Sequence, residues 1–329
     1  MGAYVVRRVL VMFGMLVALS MIVFLLFAAL PTDPAALTCG KSCTPQIIAA
    51  NRVRLGLDKP LVTQYLTFVK GIFVGRTYGV GQAQFTCPAP SLGYSFNQGA
   101  CVTDLIKSRL PVTMSLALGA FVLWMFFGVL SGIIAALRRG KWQDRTLTGL
   151  ALVGYSFPSF FIGLLLLFFV VIKWGLLPYP QYVPASEDFP GFLEAMILPW
   201  ISVALLYAAF YTRLTRTQML ETLGEDYIRT ARSKGLPERV VVRKHALRAG
   251  LTPIVTAAGL DLAGLLGGAI VTEAVFNLPG LGQLAIQSVT QSDLPVITAT
   301  VLVAATFILF ANLIVDLLYA VIDPRVRLT

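Results

Sequence analysis

The residues that could do chemistry in this sequence fall into three groups. They are four cysteines, two acids inside apolar stretches, and a basic segment at residues 223–253 that contains the single histidine, His245. No serine or cysteine has a recognisable base partner, and no two carboxylates are placed for acid–base work. We therefore predict no catalytic residue, and we expect a transport or binding protein rather than an enzyme.

The basic segment is the most polar stretch of a very apolar chain. It holds seven basic residues: Arg229, Arg232, Lys234, Arg239, Arg243, Lys244 and Arg248. Its centre, Gly235-Leu236-Pro237, predicts a break between two short helices, because glycine and proline both interrupt helices. A pair of helices held against a bilayer indicates a docking surface for a soluble partner. Solvent and lipid headgroups are the alternative contacts for its cations.

The composition identifies an integral membrane protein. Hydrophobic residues make up 57% of the chain and charged residues only 13%, whereas a soluble domain carries roughly a quarter charged residues. The net charge of +10 matches the lysine and arginine excess of cytoplasmic loops. We therefore expect contact with membrane lipid and none with nucleic acid.

Hydropathy predicts six transmembrane helices in a single all-α domain. The predicted spans are residues 9–30, 110–137, 147–172, 192–211, 251–271 and 296–322. Two extracytoplasmic loops (31–109 and 272–295) and one long cytoplasmic segment (212–250) lie between them. With the N-terminus inside, 17 of the 26 basic residues lie in cytoplasmic segments, so both termini are predicted to be cytoplasmic.

Several local features refine this topology. Pro111 is predicted to open the second span and Pro158 to kink the third. Gly128-x3-Gly132 favours close packing of helices. In the first loop, Leu61–Val74 reads as an interfacial helix, and residues 76–90 read as an exposed insert rich in glycine, glutamine and proline.

The four cysteines all lie in the first extracytoplasmic loop. An even count in an oxidising compartment favours two disulfides, Cys39–Cys43 and Cys87–Cys101. A metal site at Cys39 and Cys43 is the alternative. It lacks a second tightly spaced cysteine pair or a nearby histidine, so we predict no metal.

Asp261 and Asp316 are the two acids inside predicted spans. A carboxylate in a bilayer is costly and is a functional candidate by default. Asp261 could line a polar path or pair with a partner subunit. Asp316 could line the same path, or form hydrogen bonds between helices near the cytoplasmic interface.

The basic segment resembles the coupling loop of permeases from ABC importers, in the dipeptide, oligopeptide and nickel subfamily. The resemblance is carried by Ala231 and Gly235, within the stretch from Asp226 to Leu236, and by Pro253 further along the chain. Similar stretches occur along nearly the whole chain, including Thr272-Glu273-x2-Phe276 and Asn277-Leu278-Pro279-Gly280-Leu281-Gly282. The chain looks like the first permease of such a system, the one with a long outside loop after its first helix.

The resemblance implies a fold, a function and a set of partners. The fold would be the six-helix permease of type I ABC importers, in the bacterial cytoplasmic membrane. The function would be ATP-driven import of short peptides, with nickel, glutathione or another small solute as alternative cargo. The partners would be a second homologous permease, two ATPase subunits and an extracytoplasmic solute-binding protein. A stand-alone secondary transporter or channel is the alternative from a different class.

The resemblance also assigns a site. The residues implied to couple with the ATPase are Asp226, Tyr227, Arg229, Ala231, Arg232, Lys234, Gly235 and Leu236. No nucleotide-binding motif is present, since Gly40-Lys41-Ser42 lacks the first glycine of a P-loop. ATP and magnesium are therefore expected on partner subunits, and no cofactor is expected on this chain.

Overall fold

The structure, a computed structural model, describes residues 2–28, 35, 44–78 and 84–322. The chain forms two compact units, one of Met1–Pro111 with Pro279–Leu313 and one of Val112–Leu278 with Ile314–Thr329. Regular structure in the described ranges is helical except for two small antiparallel sheets of two strands each. The predicted all-α class is confirmed, with the two sheets as local additions.

The helices of the described ranges are numbered in chain order. They are α1 (Gly2–Ala28), α2 (Pro45–Leu55), α3 (Leu61–Val74), α4 (Val102–Leu137), α5 (Trp142–Ser156), α6 (Ser159–Lys173), α7 (Phe189–Gly224), α8 (Asp226–Ser233), α9 (Glu238–Gly250), α10 (Thr252–Leu266), α11 (Ile270–Val275), α12 (Leu281–Thr290) and α13 (Leu294–Ile322). Helices α1, α4, α7 and α13 are each long and apolar enough to cross a membrane. The bent pairs α5–α6 and α9–α10 raise the number of spans to six if each pair counts as one.

The α5–α6 pair departs from the single kinked span predicted at residues 147–172. Its axis turns by 95°. Pro158 cannot donate a backbone hydrogen bond, and Phe157 before it takes an extended backbone conformation, as residues before proline prefer. The predicted kink is therefore a break between two helices. The α9–α10 pair bends by 44°, where Pro253 lies in the first turn of α10.

Several helices start or end beyond the predicted spans. Helix α4 begins at Val102, so Pro111 lies inside the helix and not at its first turn as predicted. Helix α7 continues to Gly224, well past the predicted end of its span at residue 211. Hydropathy marks where a helix leaves the apolar layer, but backbone hydrogen bonding continues into the polar sequence. The predicted cytoplasmic segment 212–250 therefore begins as a helix, and the predicted loop 272–295 contains α12 and the end of α11.

Helices α4 and α7 form the core of the second unit and approach each other closely at glycines. A Cβ atom on Gly128 would lie 2.8 Å from the Cβ of Tyr211, and one on Gly132 would lie 2.5 Å from the Cβ of Thr215. Both distances are shorter than real Cβ contacts, so only glycine fits without a shift of its neighbours. The prediction that Gly128-x3-Gly132 serves helix packing is confirmed.

In the first unit, α3 has the predicted bounds, whereas the predicted insert at residues 76–90 is not simply exposed. Strands β1 (Arg76–Tyr78) and β2 (Phe85–Cys87) pair antiparallel and bury Tyr78 and Cys87. Strands β3 (Tyr94–Ser95) and β4 (Ala100–Cys101) form the second sheet. Cys87 and Cys101 form a disulfide, which ties the first hairpin to the start of α4. Cys39 and Cys43 lie outside the described residues.

Candidate coupling surface

Helices α8 and α9 form the candidate coupling surface, and a Schellman turn joins them. The Gly235 N–H donates to the Arg232 carbonyl, and the Leu236 N–H donates to the Ala231 carbonyl at 3.4 Å. Gly235 has a φ of 76°, a left-handed conformation that glycine takes without strain. Pro237 follows and starts α9, so the predicted helix break at Gly235-Leu236-Pro237 is confirmed.

One face of α8 is packed against the rest of the second unit. Ile228 is fully buried and Ala231 is 7% exposed. They share an apolar cluster with residues from α4, α7 and α9: Ala136, Met219, Val241 and Ala246. Ala231 therefore holds α8 in place through buried contacts.

The remaining sides of α8 and the turn after it are open to solvent. Tyr227 is 45% exposed and Leu236 is 38% exposed, which is a large exposure for apolar side chains in a polar segment. Around them lie exposed charged residues: Asp226, Arg229, Arg232, Lys234, Glu238 and Arg239. An apolar centre with a charged rim is typical of a surface that binds another protein.

Two of the predicted cations are already paired within the chain. The Arg232 guanidinium donates two hydrogen bonds to the Glu238 carboxylate, at 2.7 and 3.1 Å, and this bridges α8 to α9. The hydrogen bond from Arg232 holds the pKa of Glu238 below its ordinary value. Arg229 pairs with Asp226 at 3.3 Å in a highly exposed position. Lys234 makes no ion pair within the described ranges, so it is the predicted cation most available to an acidic partner.

A second ion pair, which we call the clamp, joins α7 to the start of α5. Arg216 donates to Asp144 at 2.6 and 2.9 Å, one bond to each carboxylate oxygen. Asp144 is only 4% exposed and also accepts from the Gly140 N–H and the Thr148 hydroxyl. Sequence reasoning missed this residue. The available signal was a single acid within the short basic stretch Arg138–Arg145.

The two predicted path acids lie in separate helices. Asp261 is half-buried in α10 and accepts a hydrogen bond of 2.6 Å from the Tyr211 hydroxyl of α7. Asp316 is half-buried in α13. Among the described residues, no group of three or more His, Cys, Asp and Glu side chains could hold a metal ion.

This arrangement of membrane-spanning helices with an anchored, solvent-facing helix pair is that of an ABC importer permease. The chain belongs to the family of binding-protein-dependent transport system inner membrane components. The model of that family matches residues 128–328, and a second model, for the N-terminal part of such membrane components, matches residues 1–117. The chain is a multi-pass transport subunit of the bacterial inner membrane that works with other ABC transporter components.

Relatives match along nearly the full length. A putative peptide transport system permease protein of Brucella abortus is 38% identical over 327 residues, which cover 99% of each chain. A probable peptide ABC transporter permease protein of Sinorhizobium fredii is 36% identical over 99% of this chain and 100% of that protein. A glutathione transport system permease protein of Escherichia coli is 38% identical over 98% of each chain.

A solved structure agrees with the fold. It is an inward-facing structure of the MetNI methionine ABC transporter, with a TM-score of 0.53 and 20% identity. The match covers 67% of this chain and 97% of that chain.

Proposed function

We propose that this chain is the permease subunit of an ATP-driven importer of short peptides delivered by an extracytoplasmic solute-binding protein. A second homologous permease and two ATPase subunits would complete the complex, and ATP and magnesium would bind on the ATPases. Both termini would be cytoplasmic. The observation that carries the proposal is the α8–α9 surface, which is packed on one side and open on the other.

The geometry of this surface supports a role in receiving force. Ile228 and Ala231 fix α8 to helices that continue into the membrane, so a push on α8 would move those helices with it. Tyr227 and Leu236 supply exposed apolar area, and Lys234 supplies a cation for acids on an ATPase. Arg232 would act mainly by bracing α8 against α9 through Glu238. Helices pack as rigid bodies with close-packed interiors, so such a surface can transmit a displacement.

Short peptides are the proposed cargo because full-length relatives are named as peptide permeases. Glutathione is the second candidate, because a relative named for it matches at the same 38% identity. Nickel or another small solute stays an alternative cargo of the same type of importer. A stand-alone secondary transporter or channel is the alternative from a different class.

Uptake measurements in a strain that lacks this gene test the function. Radiolabelled di- and tripeptides and radiolabelled glutathione would be supplied to cells with and without the restored gene. The proposal predicts restored peptide uptake that disappears when the partner ATPase carries an inactivating substitution. Uptake that persists without ATP hydrolysis would instead support the secondary transporter.

A further inference from the structure

Asp261 is a carboxylate in span α10 that forms no ion pair among the described residues. The ion pairs of the described ranges do not include it, and its single hydrogen bond comes from Tyr211. One carboxylate oxygen therefore has no hydrogen-bond partner in that part of the protein. A charge in a bilayer is costly unless it is paired, bound to a ligand or reached by water. The side chain is half-buried and not sealed in the core of the second unit.

The tyrosine that donates to this carboxylate belongs to a cluster of aromatic rings from α4 and α7. Trp124 of α4 stacks on Tyr207 of α7 with ring centroids 4.5 Å apart, and it lies 6.4 Å from the Tyr211 ring. Tyr207 lies one helical turn before Tyr211 on α7, and so on the same face of that helix. The indole N–H of Trp124 is buried and meets no acceptor among the described residues. The cluster therefore combines one negative charge, aromatic faces and unpaired polar atoms within the membrane part of the second unit.

These groups suit a protonated amine. A carboxylate oxygen accepts from an ammonium, and aromatic faces attract the same cation through their quadrupoles. The cluster does not suit a transition metal, which requires several nitrogen, sulfur or carboxylate ligands. An amino terminus is also the one cation common to short peptides whatever their side chains. Recognition of it would therefore not restrict the sequence of the cargo.

We propose that Asp261, together with the Tyr207 ring one helical turn from its hydrogen-bond partner Tyr211, binds the protonated amino terminus of the cargo during passage through the membrane. This inference rests on the proposed function, since it takes a short peptide as the cargo. The Tyr211 hydroxyl orients the carboxylate by bonding one oxygen and leaves the other for the ammonium. Trp124 holds the two tyrosine rings in place from the core.

Direct binding to the assembled transporter, without its solute-binding protein, tests the proposal. The complex that co-purifies with this chain would be placed in lipid nanodiscs. Binding of radiolabelled alanyl-phenylalanine and of its N-acetyl form would be measured at equilibrium. We expect the free amine to bind about tenfold to a hundredfold more tightly, as for a charge-assisted hydrogen bond. Asp261→Asn should remove this preference.

Three controls make the outcome decisive. Glu194→Gln removes an exposed carboxylate from α7 and should leave the preference unchanged. Asp261→Glu should retain at least part of the preference, and size-exclusion profiles would verify assembly of each variant. Equal binding of both peptides to the wild type, no binding of either, or an unchanged preference in Asp261→Asn would each overturn the inference. ATP-dependent uptake that is intact in Asp261→Asn would overturn this inference and leave the proposed function standing.

Discussion

Removal of the clamp between α7 and α5 should destabilise the cytoplasmic end of the second unit. In Arg216→Met the Asp144 carboxylate would stay buried, with only the Gly140 N–H and the Thr148 hydroxyl as donors. The side chain of Asp144 is 6% exposed and that of Arg216 is 27% exposed. The pair is thus neither fully buried nor a surface pair. We expect a loss of about 2–3 kcal/mol in the free energy of unfolding, as for hydrogen bonds to charged groups.

A double-mutant cycle would isolate this interaction from other effects. Arg216→Met, Asp144→Asn and the double variant would be unfolded by SDS titration from mixed micelles, with helix content followed by circular dichroism. The loss of unfolding free energy in the double variant should be smaller than the sum of the two single losses by about 1.5–3 kcal/mol. Strictly additive losses would refute the interpretation of the clamp as a coupled pair. In transport assays, the single variants should raise the ATP hydrolysed per peptide imported, because α7 leads directly into α8.

Three further predictions concern single positions. Gly132→Ala should destabilise the protein by about 1–3 kcal/mol in the same titration, because its Cβ would crowd Thr215. The control Gly149→Ala should leave the stability unchanged, because its Cβ meets no neighbour within 4 Å. Gly235→Val should strain the turn by about 1–2 kcal/mol and reduce peptide-stimulated ATPase activity. Gly235→Asn should retain that activity, because asparagine tolerates positive φ. Equal ATPase activities of the two variants would contradict this prediction. Cys87→Ser opens a disulfide of sequence separation 14 and should lower the free energy of unfolding by about 3 kcal/mol. A thermal unfolding midpoint that neither the substitution nor a reductant changes would contradict this prediction.

The sequence was sufficient for the two helices and the turn of the candidate coupling surface, because local chemistry determines them. Gly235 and Pro237 end one helix and start the next whatever the tertiary context. Helix α3 was predicted with its observed bounds, Leu61–Val74, because Pro60 and Gly75 stand on either side of an apolar run. Such features depend on neighbours in sequence, which a single chain displays directly.

The features that escaped prediction depend on contacts between distant residues. The clamp joins Asp144 to Arg216, and the hydrogen bond in the membrane joins Tyr211 to Asp261. No local pattern identifies such partners. The length of α7 was underestimated because hydropathy falls after residue 211 while the helix continues to Gly224. The 95° bend at Pro158 was underestimated because a proline predicts an interruption but not the angle that packing then selects.

Site-specific photo-crosslinking is a direct test of whether α8 contacts a cytoplasmic ATPase. A benzoyl-phenylalanine would replace Tyr227, which is 45% exposed on α8, or Phe73, which is 74% exposed in the first unit, as a control. After irradiation of intact membranes, the account predicts a crosslink from position 227 to an ATPase subunit and none from position 73. If position 227 forms no crosslink to an ATPase subunit in a complex that still imports peptide, the proposed contact of α8 with the ATPase is wrong.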